Sequence, residues 1–186
     1  MPNVLKCGIA VALLAAGCAV LKPRPETAAW PLPDPGQAPF EDRLLQDVEL
    51  ARGATGGHFL AVLERSASGV TLAALDPTGR RLALVRWTAG GLDTVVAPEA
   101  RPYFDADAAL RELAFALWSS PSLEEAWRGG PYRLENVGDR RRVFRSGRLL
   151  WSARSFRESG ARVIALEGPD GVRIRVRDLP SEEEAR

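Results

Sequence analysis

The chain has 186 residues, 46% of them hydrophobic, with 25 Lys and Arg set against 24 Asp and Glu for a formal net charge of +1. That length suits one domain, and so even a balance gives no long-range field for nucleic acid, so no nucleic-acid partner is expected. One histidine and two cysteines leave too few ligands for a histidine or cysteine metal centre.

At the N-terminus, Lys6 precedes an apolar stretch from Cys7 to Ala16 and then small residues, the layout of a secretory signal peptide over residues 1–17. About ten apolar residues are too few to cross a bilayer, which takes ~20 in a helix. The run Leu14-Ala15-Ala16-Gly17-Cys18 resembles a bacterial lipobox, with the leucine one place early, and predicts that Cys18 carries the lipid anchor. The alternative is ordinary cleavage, with Cys18 one small residue of the cleavage region. Cys7 falls inside the removed segment, so no disulfide is expected in the mature chain. Loss of Lys6 brings the basic count from 25 to 24, level with the 24 acids. Ala19, where an aspartate would signal retention in the inner membrane, points to the periplasmic face of the outer membrane.

Residues 18–40 carry Pro23, Pro25, Pro31, Pro33, Pro35 and Pro39 among few apolar neighbours, which predicts an extended, unpacked linker. Trp30 within it has two readings, a ring resting at the lipid interface or a ring docked on the domain.

A folded domain is expected over 41–180, with a charged tail at 181–186. Ten strands follow from apolar alternation and turn chemistry. The first five are Leu44–Leu50, Gly57–Glu64, Val70–Leu75, Arg81–Trp87 and Leu92–Val96. The last five are Tyr132–Glu135, Arg142–Arg145, Leu149–Phe156, Arg162–Glu167 and Val172–Arg177. Val172, Ile174 and Val176 alternate with Arg173, Arg175 and Arg177, so that strand has one dry face and one wet one. In the second strand both Phe59, Ala61, Leu63 and Leu60, Val62 are apolar, and alternation does not separate its faces.

Between the two sets lies a helix opening at Asp105 as N-cap and running to Trp118, with no polar residue from Leu113 onward. Ser120-Pro121 starts a second, short helix reaching Trp127. The expected architecture is α+β and mainly antiparallel β: a curved half-barrel of about ten strands with a central helix pair as lid or plug.

Catalytic chemistry has little to stand on. His58 is the single histidine and no lysine falls within 41–180, so no enzyme activity and no cofactor are expected. Asp105 with Asp107 and Glu124 with Glu125 read as helix first-turn charges and a solvated helix face. What remains is apolar surface around the helix. The lipid-binding candidates are Phe59, Leu63, Leu84, Trp87, Leu113, Phe115, Trp118 and Trp151, set against the plainer reading of an ordinary core. Arg140, Arg141, Arg142, Arg145 and Arg148 crowd one hairpin and are candidates for lipid headgroups or a partner's acidic rim, or form a solvated hairpin.

Phe59-Leu60-Ala61-Val62-Leu63, Leu72 through Arg81, and Leu110 through Trp118 followed by Pro121 and Leu123 resemble an uncharacterised family of bacterial outer-membrane lipoproteins. That family is itself similar to the lipoprotein-sorting proteins LolA and LolB, half-barrels lidded by helices around an acyl-binding cavity. The resemblance implies a membrane-anchored protein that binds or transfers a lipid or acylated cargo, with a periplasmic LolA-like carrier as a partner. The alternative is a non-catalytic structural or assembly lipoprotein that binds a protein. One departure is the Asp76–Gly79 turn, tight and polar where LolB carries an exposed apolar residue on a protruding loop.

Overall fold

The computed structural model describes residues 30–53, 55–101 and 104–180. The signal segment, Cys18 and the tail at 181–186 lie outside the described residues. Ten strands form one antiparallel sheet. They are β1 (Arg43–Arg52), β2 (Thr55–Ser66), β3 (Gly69–Leu75), β4 (Arg81–Thr88), β5 (Gly91–Val96), β6 (Tyr132–Val137), β7 (Arg140–Arg145), β8 (Arg148–Glu158), β9 (Ala161–Glu167) and β10 (Val172–Asp178). Their spatial order is β5-β4-β3-β2-β1-β10-β9-β8-β7-β6. The chain therefore makes two five-stranded meanders, joined where β1 pairs with β10. The sheet is curved and not closed, with β5 and β6 as its edges, and the fold is α+β, mainly β, as the residue pattern predicts.

Helices α1 (Ala106–Leu117) and α2 (Ser120–Ala126) connect one edge strand to the other and cover the concave face. Asp105 caps α1 by accepting from the Ala108 N–H at 3.0 Å, and Ser119 caps α2 through the Ser122 N–H. From Leu113 to Trp118 every residue except the partly exposed Ala116 is buried, as an all-apolar half-helix requires.

Register settles the faces. Phe59, Ala61 and Leu63 share the concave side with Val48, Val70, Leu72, Ala74, Ala83, Val85 and Trp87, and all are buried. Leu60 and Val62 face the convex side, where Leu45, Val62, Ala73, Leu84 and Val95 form one cross-strand row. Bulges between Ala74 and Leu75 and between Val143 and Phe144 add the local bend and twist that help the sheet curl. At the β2–β3 turn the backbones nearly touch. Gly69 has φ +143°, and a Cβ there would sit 2.1 Å from the Trp87 carbonyl oxygen, so only glycine fits.

Residues 30–40 depart from the unpacked linker expected over 18–40. They form a strap across the helices, with a 3-10 turn at Pro35–Gln37 capped by Asp34. Trp30 is fully buried and meets Phe115, Trp127 and Tyr132 edge-on at centroid distances of 6.0 to 6.4 Å. The strap has no strand partner, so side chains satisfy its carbonyls. Arg111 donates to Trp30, Trp127 Nε1 to Pro31 at 2.9 Å, and Trp118 Nε1 to Asp34 at 3.2 Å. Arg65 reaches the carbonyls of Gly36, Ala38 and Phe40.

Proline composition signals that no α-helix or strand forms over 30–40, but it does not report docking. Trp30→Ala is therefore expected to cost the full chain ~3 to 5 kcal/mol, the usual cost of emptying an aromatic site in a core. Urea unfolding checks this, and an unchanged midpoint would mean that the strap carries none of the domain's stability.

Candidate functional site

The concave face is covered unevenly. Helix α1 lies closest to β4 and β5, where Trp118 packs on Trp87 at 5.0 Å and on Phe40 at 6.2 Å. On the side toward β1, β10 and β9 it presents Ala109, Glu112, Leu113 and Ala116, at helical spacing. Two of these four are alanine, and a gap is left over the sheet.

One part of the gap is an apolar pocket, open to solvent, with a cavity of about 40 Å³. Val48, Leu50, Phe59, Leu113, Ile174 and Val176 are among its walls, Phe104 packs edge-on against Phe59 at 5.4 Å, and Asp105 and Glu112 also line it. Small-molecule pockets usually hold roughly 300 to 1,000 Å³. The pocket as it stands admits a methyl end, not a chain.

A second opening, of about 260 Å³, lies toward β6, β7 and β8 beside Ala116. Its walls include Ile164, Ala153, Ser155, Asn136 and Arg141, with Asp139 from the β6–β7 turn and Arg140 at the start of β7. Arg141 donates through Nη1 to the carbonyls of Phe115 and Trp118, at 2.8 and 2.6 Å. A cation on the last carbonyls of α1 satisfies orphan acceptors and opposes the negative end of the helix dipole. Partial burial lowers the Arg141 pKa from its ordinary value. Asp139 accepts from Arg154, whose side-chain hydrogen bond holds the carboxyl below the usual range.

The residues singled out in the sequence fall into three groups. Phe59 and Leu113 line the apolar pocket. Leu63, Trp87, Phe115, Trp118 and Trp151 are buried in the packed core, each at most 4% exposed. Trp151 lies flat on Gly168, where a Cβ would come within 2.5 Å of its ring. Leu84 faces the convex side, opposite in parity to the buried Ala83 and Val85.

The arginine hairpin does not make one patch. Strand alternation puts Arg142 on the convex face and Arg140 on the same parity at the end of its strand, where it also borders the second opening, with Arg141 and Arg145 on the concave side and Arg148 beside the turn. Arg145 stacks over Tyr132 at 5.7 Å. Pocket residues that sequence reasoning missed include Val48, Leu50, Leu166 and Ile174. The alternation on β10 marked Ile174 as inward-facing, but nothing local showed that the helix would leave it uncovered.

His58 is exposed on the convex face and hydrogen-bonds Asp47. Among the described residues no group of three potential metal ligands comes together, and no helix is long and apolar enough to cross a membrane.

No curated protein matches the chain. A family model described as protein of unknown function (DUF3261) matches residues 43–179, which takes in every strand and both helices, and the chain belongs to that family.

Proposed function

We propose that this is a non-catalytic, lipid-handling lipoprotein: Cys18 holds it at the periplasmic face of the outer membrane, and α1 with the concave sheet takes up hydrocarbon of a lipid or acylated cargo. The observation that carries this reading is the solvent-open apolar pocket between Phe59, Leu113 and Val176. Burying hydrocarbon there gains ~25 cal/mol per Å² removed from water. At about 40 Å³ the pocket is a resting state, and loading requires α1 to lift further from the sheet over β1 and β10.

The resemblance to LolA and LolB read from the residues points to the same use, and would make a LolA-like carrier the donor. The turn after β3 argues for a difference in delivery. Asp76 accepts from the Thr78 hydroxyl and N–H and from Arg80, and these bonds, the Thr78 hydroxyl first, hold its pKa down to about 2. This is a closed polar turn with no apolar tip to press into a bilayer. The second reading, an assembly lipoprotein that binds a protein, is favoured by the close packing of Trp30, Phe115, Trp118 and Trp127 over most of the concave face.

A fluorescent fatty acid titrated into the full chain should bind. Ala109→Leu, at a half-buried pocket wall, should weaken it by about tenfold, or ~1.4 kcal/mol, with little change in unfolding. Phe115→Ala and Trp118→Ala should instead cost ~3 to 5 kcal/mol of stability, because they sit in the packed core. Absence of binding to the unaltered chain would reject lipid handling in favour of the protein-binding reading.

The anchor is tested separately. Cys18→Ser should abolish incorporation of an acyl label and shift the protein out of the membrane fraction, since firm anchoring takes more than one chain at ~0.8 kcal/mol per buried methylene. Equal labelling of the variant and the natural chain would remove Cys18 from the account.

A further inference from the structure

The two openings under α1 share no wall residue, yet they lie over one continuous stretch of the concave face. Cross-strand register puts them on the same two rows of the concave face. One row runs Phe59, Val48, Val176, Ile164, Ser155, from β2 through β1, β10 and β9 to β8. The next runs Leu50, Ile174, Leu166, Ala153, Arg141, Asn136, from β1 to β6. Both rows are apolar at one end and polar at the other, and the change falls between β9 and β7. Above them lie Ala109 and Leu113 at the apolar pocket and Ala116 at the polar recess. These α1 positions span about 10 Å along the helix axis at ~1.5 Å per residue.

From Val48 on β1 to Arg141 on β7 is four strand steps, roughly 19 Å at ~4.8 Å each. That is close to the hydrocarbon depth of one leaflet, about 15 Å, with a head group added.

The charges are graded along the same line. At the apolar end, the acidic groups in the pocket wall are Asp105 and Glu112. At the polar end Arg141 brings a partly buried guanidinium; its Nη1 donates to helix carbonyls and its Nη2 to the Ser120 hydroxyl, and Nε has no hydrogen bond among the described residues. Asp139, the acid in that recess, is already engaged by Arg154, so the recess keeps a net positive charge. Asn136 and Ser155 are exposed there and add neutral donors.

Resting on the lipid-handling reading above, in which α1 lifts on loading, we infer that the two openings together take one amphiphile with an anionic head and a fixed polarity. The phosphate or carboxylate head sits at Arg141, Asn136 and Ser155, and the chain runs under α1 to Phe59 and Leu113. The polarity is set at the recess, where the guanidinium rewards this orientation with a charge-assisted hydrogen bond.

The test uses the full chain in dodecyl maltoside micelles doped with dodecyl phosphate or with dodecyltrimethylammonium, read by native mass spectrometry. Dodecyl phosphate should be enriched on the protein by about tenfold over its share of the micelle, the worth of one charge-assisted hydrogen bond, and the ammonium should not. Asn136→Asp and Ser155→Asp, at exposed positions, should abolish the enrichment without moving the urea midpoint. A dodecyl phosphate bearing a terminal diazirine should label peptides containing Phe59 or Leu113.

Equal enrichment of both heads, with that labelling retained, would overturn the anionic-head assignment and leave lipid handling standing. Displacement by inorganic phosphate with no labelling near Phe59 would mean a free-phosphate site and overturn the amphiphile. Failure of every amphiphile to bind would reject this inference and the lipid-handling reading together.

Discussion

The pairing of β1 with β10 is the constraint on which everything else depends. Seven residues of β1, Gln46 to Arg52, face seven of β10, Asp178 to Val172, and this single ladder welds an N-terminal meander to a C-terminal one. Each meander is local: strand follows strand through short turns. Joining them through their outermost members in sequence leaves β5 and β6, which are adjacent in the chain order of strands, at opposite edges of the sheet. The segment between them must cross the whole sheet. It crosses on the concave side, where the inner-facing apolar residues need cover, and it does so as a helix because a crossing segment without internal hydrogen bonds would bury unpaired backbone. The half-barrel, its lid and the gap beneath the lid all follow from that one ladder.

Most of this was legible in the residues because the strands obey period two and α1 obeys its own. Val172, Ile174 and Val176 are buried and their arginine neighbours are not, as alternation requires. Asp105 and Ser119 cap the helices within a residue of where their types suggest. Two features were illegible for a physical reason. The strap packs through one tryptophan and through carbonyls met by Arg65, Arg111, Trp118 and Trp127. Its partners are up to 96 residues away, so no local period records them. The uncovered part of the concave face is likewise set by how close α1 approaches β4 and β5, a tertiary distance that no spacing along β1 or β10 encodes.

The arginine hairpin shows how composition misleads when the pleat is ignored. Five arginines within nine residues look like one basic patch. The pleat divides them, and Arg141 lies inward on the C-terminal carbonyls of α1. A residue that resembled a surface contact therefore fixes the lid. The same parity moves Leu84 from the candidate cavity to the convex face, beside Ala73 and Val95.

The restraints on α1 are unequal along its length, and this decides how the pocket can widen. At its C-terminal end Trp118 is held by Trp87, Phe40 and the Asp34 carbonyl, and Arg141 bonds two carbonyls of the last turn. At its N-terminal end the corresponding restraints are the Asp105 cap, which is internal to the helix, and the contact of Phe104 with Phe59. Among the described residues, the side-chain hydrogen bonds that tie α1 to the rest of the fold therefore gather toward its C-terminal half, while its N-terminal half lies over the apolar pocket. Midway, Arg111 holds the Trp30 carbonyl while also paired with Asp107, so a tilt of α1 about its anchored C-terminus works directly against the strap. The strap at Trp30 is thus bonded directly to the helix that covers the pocket.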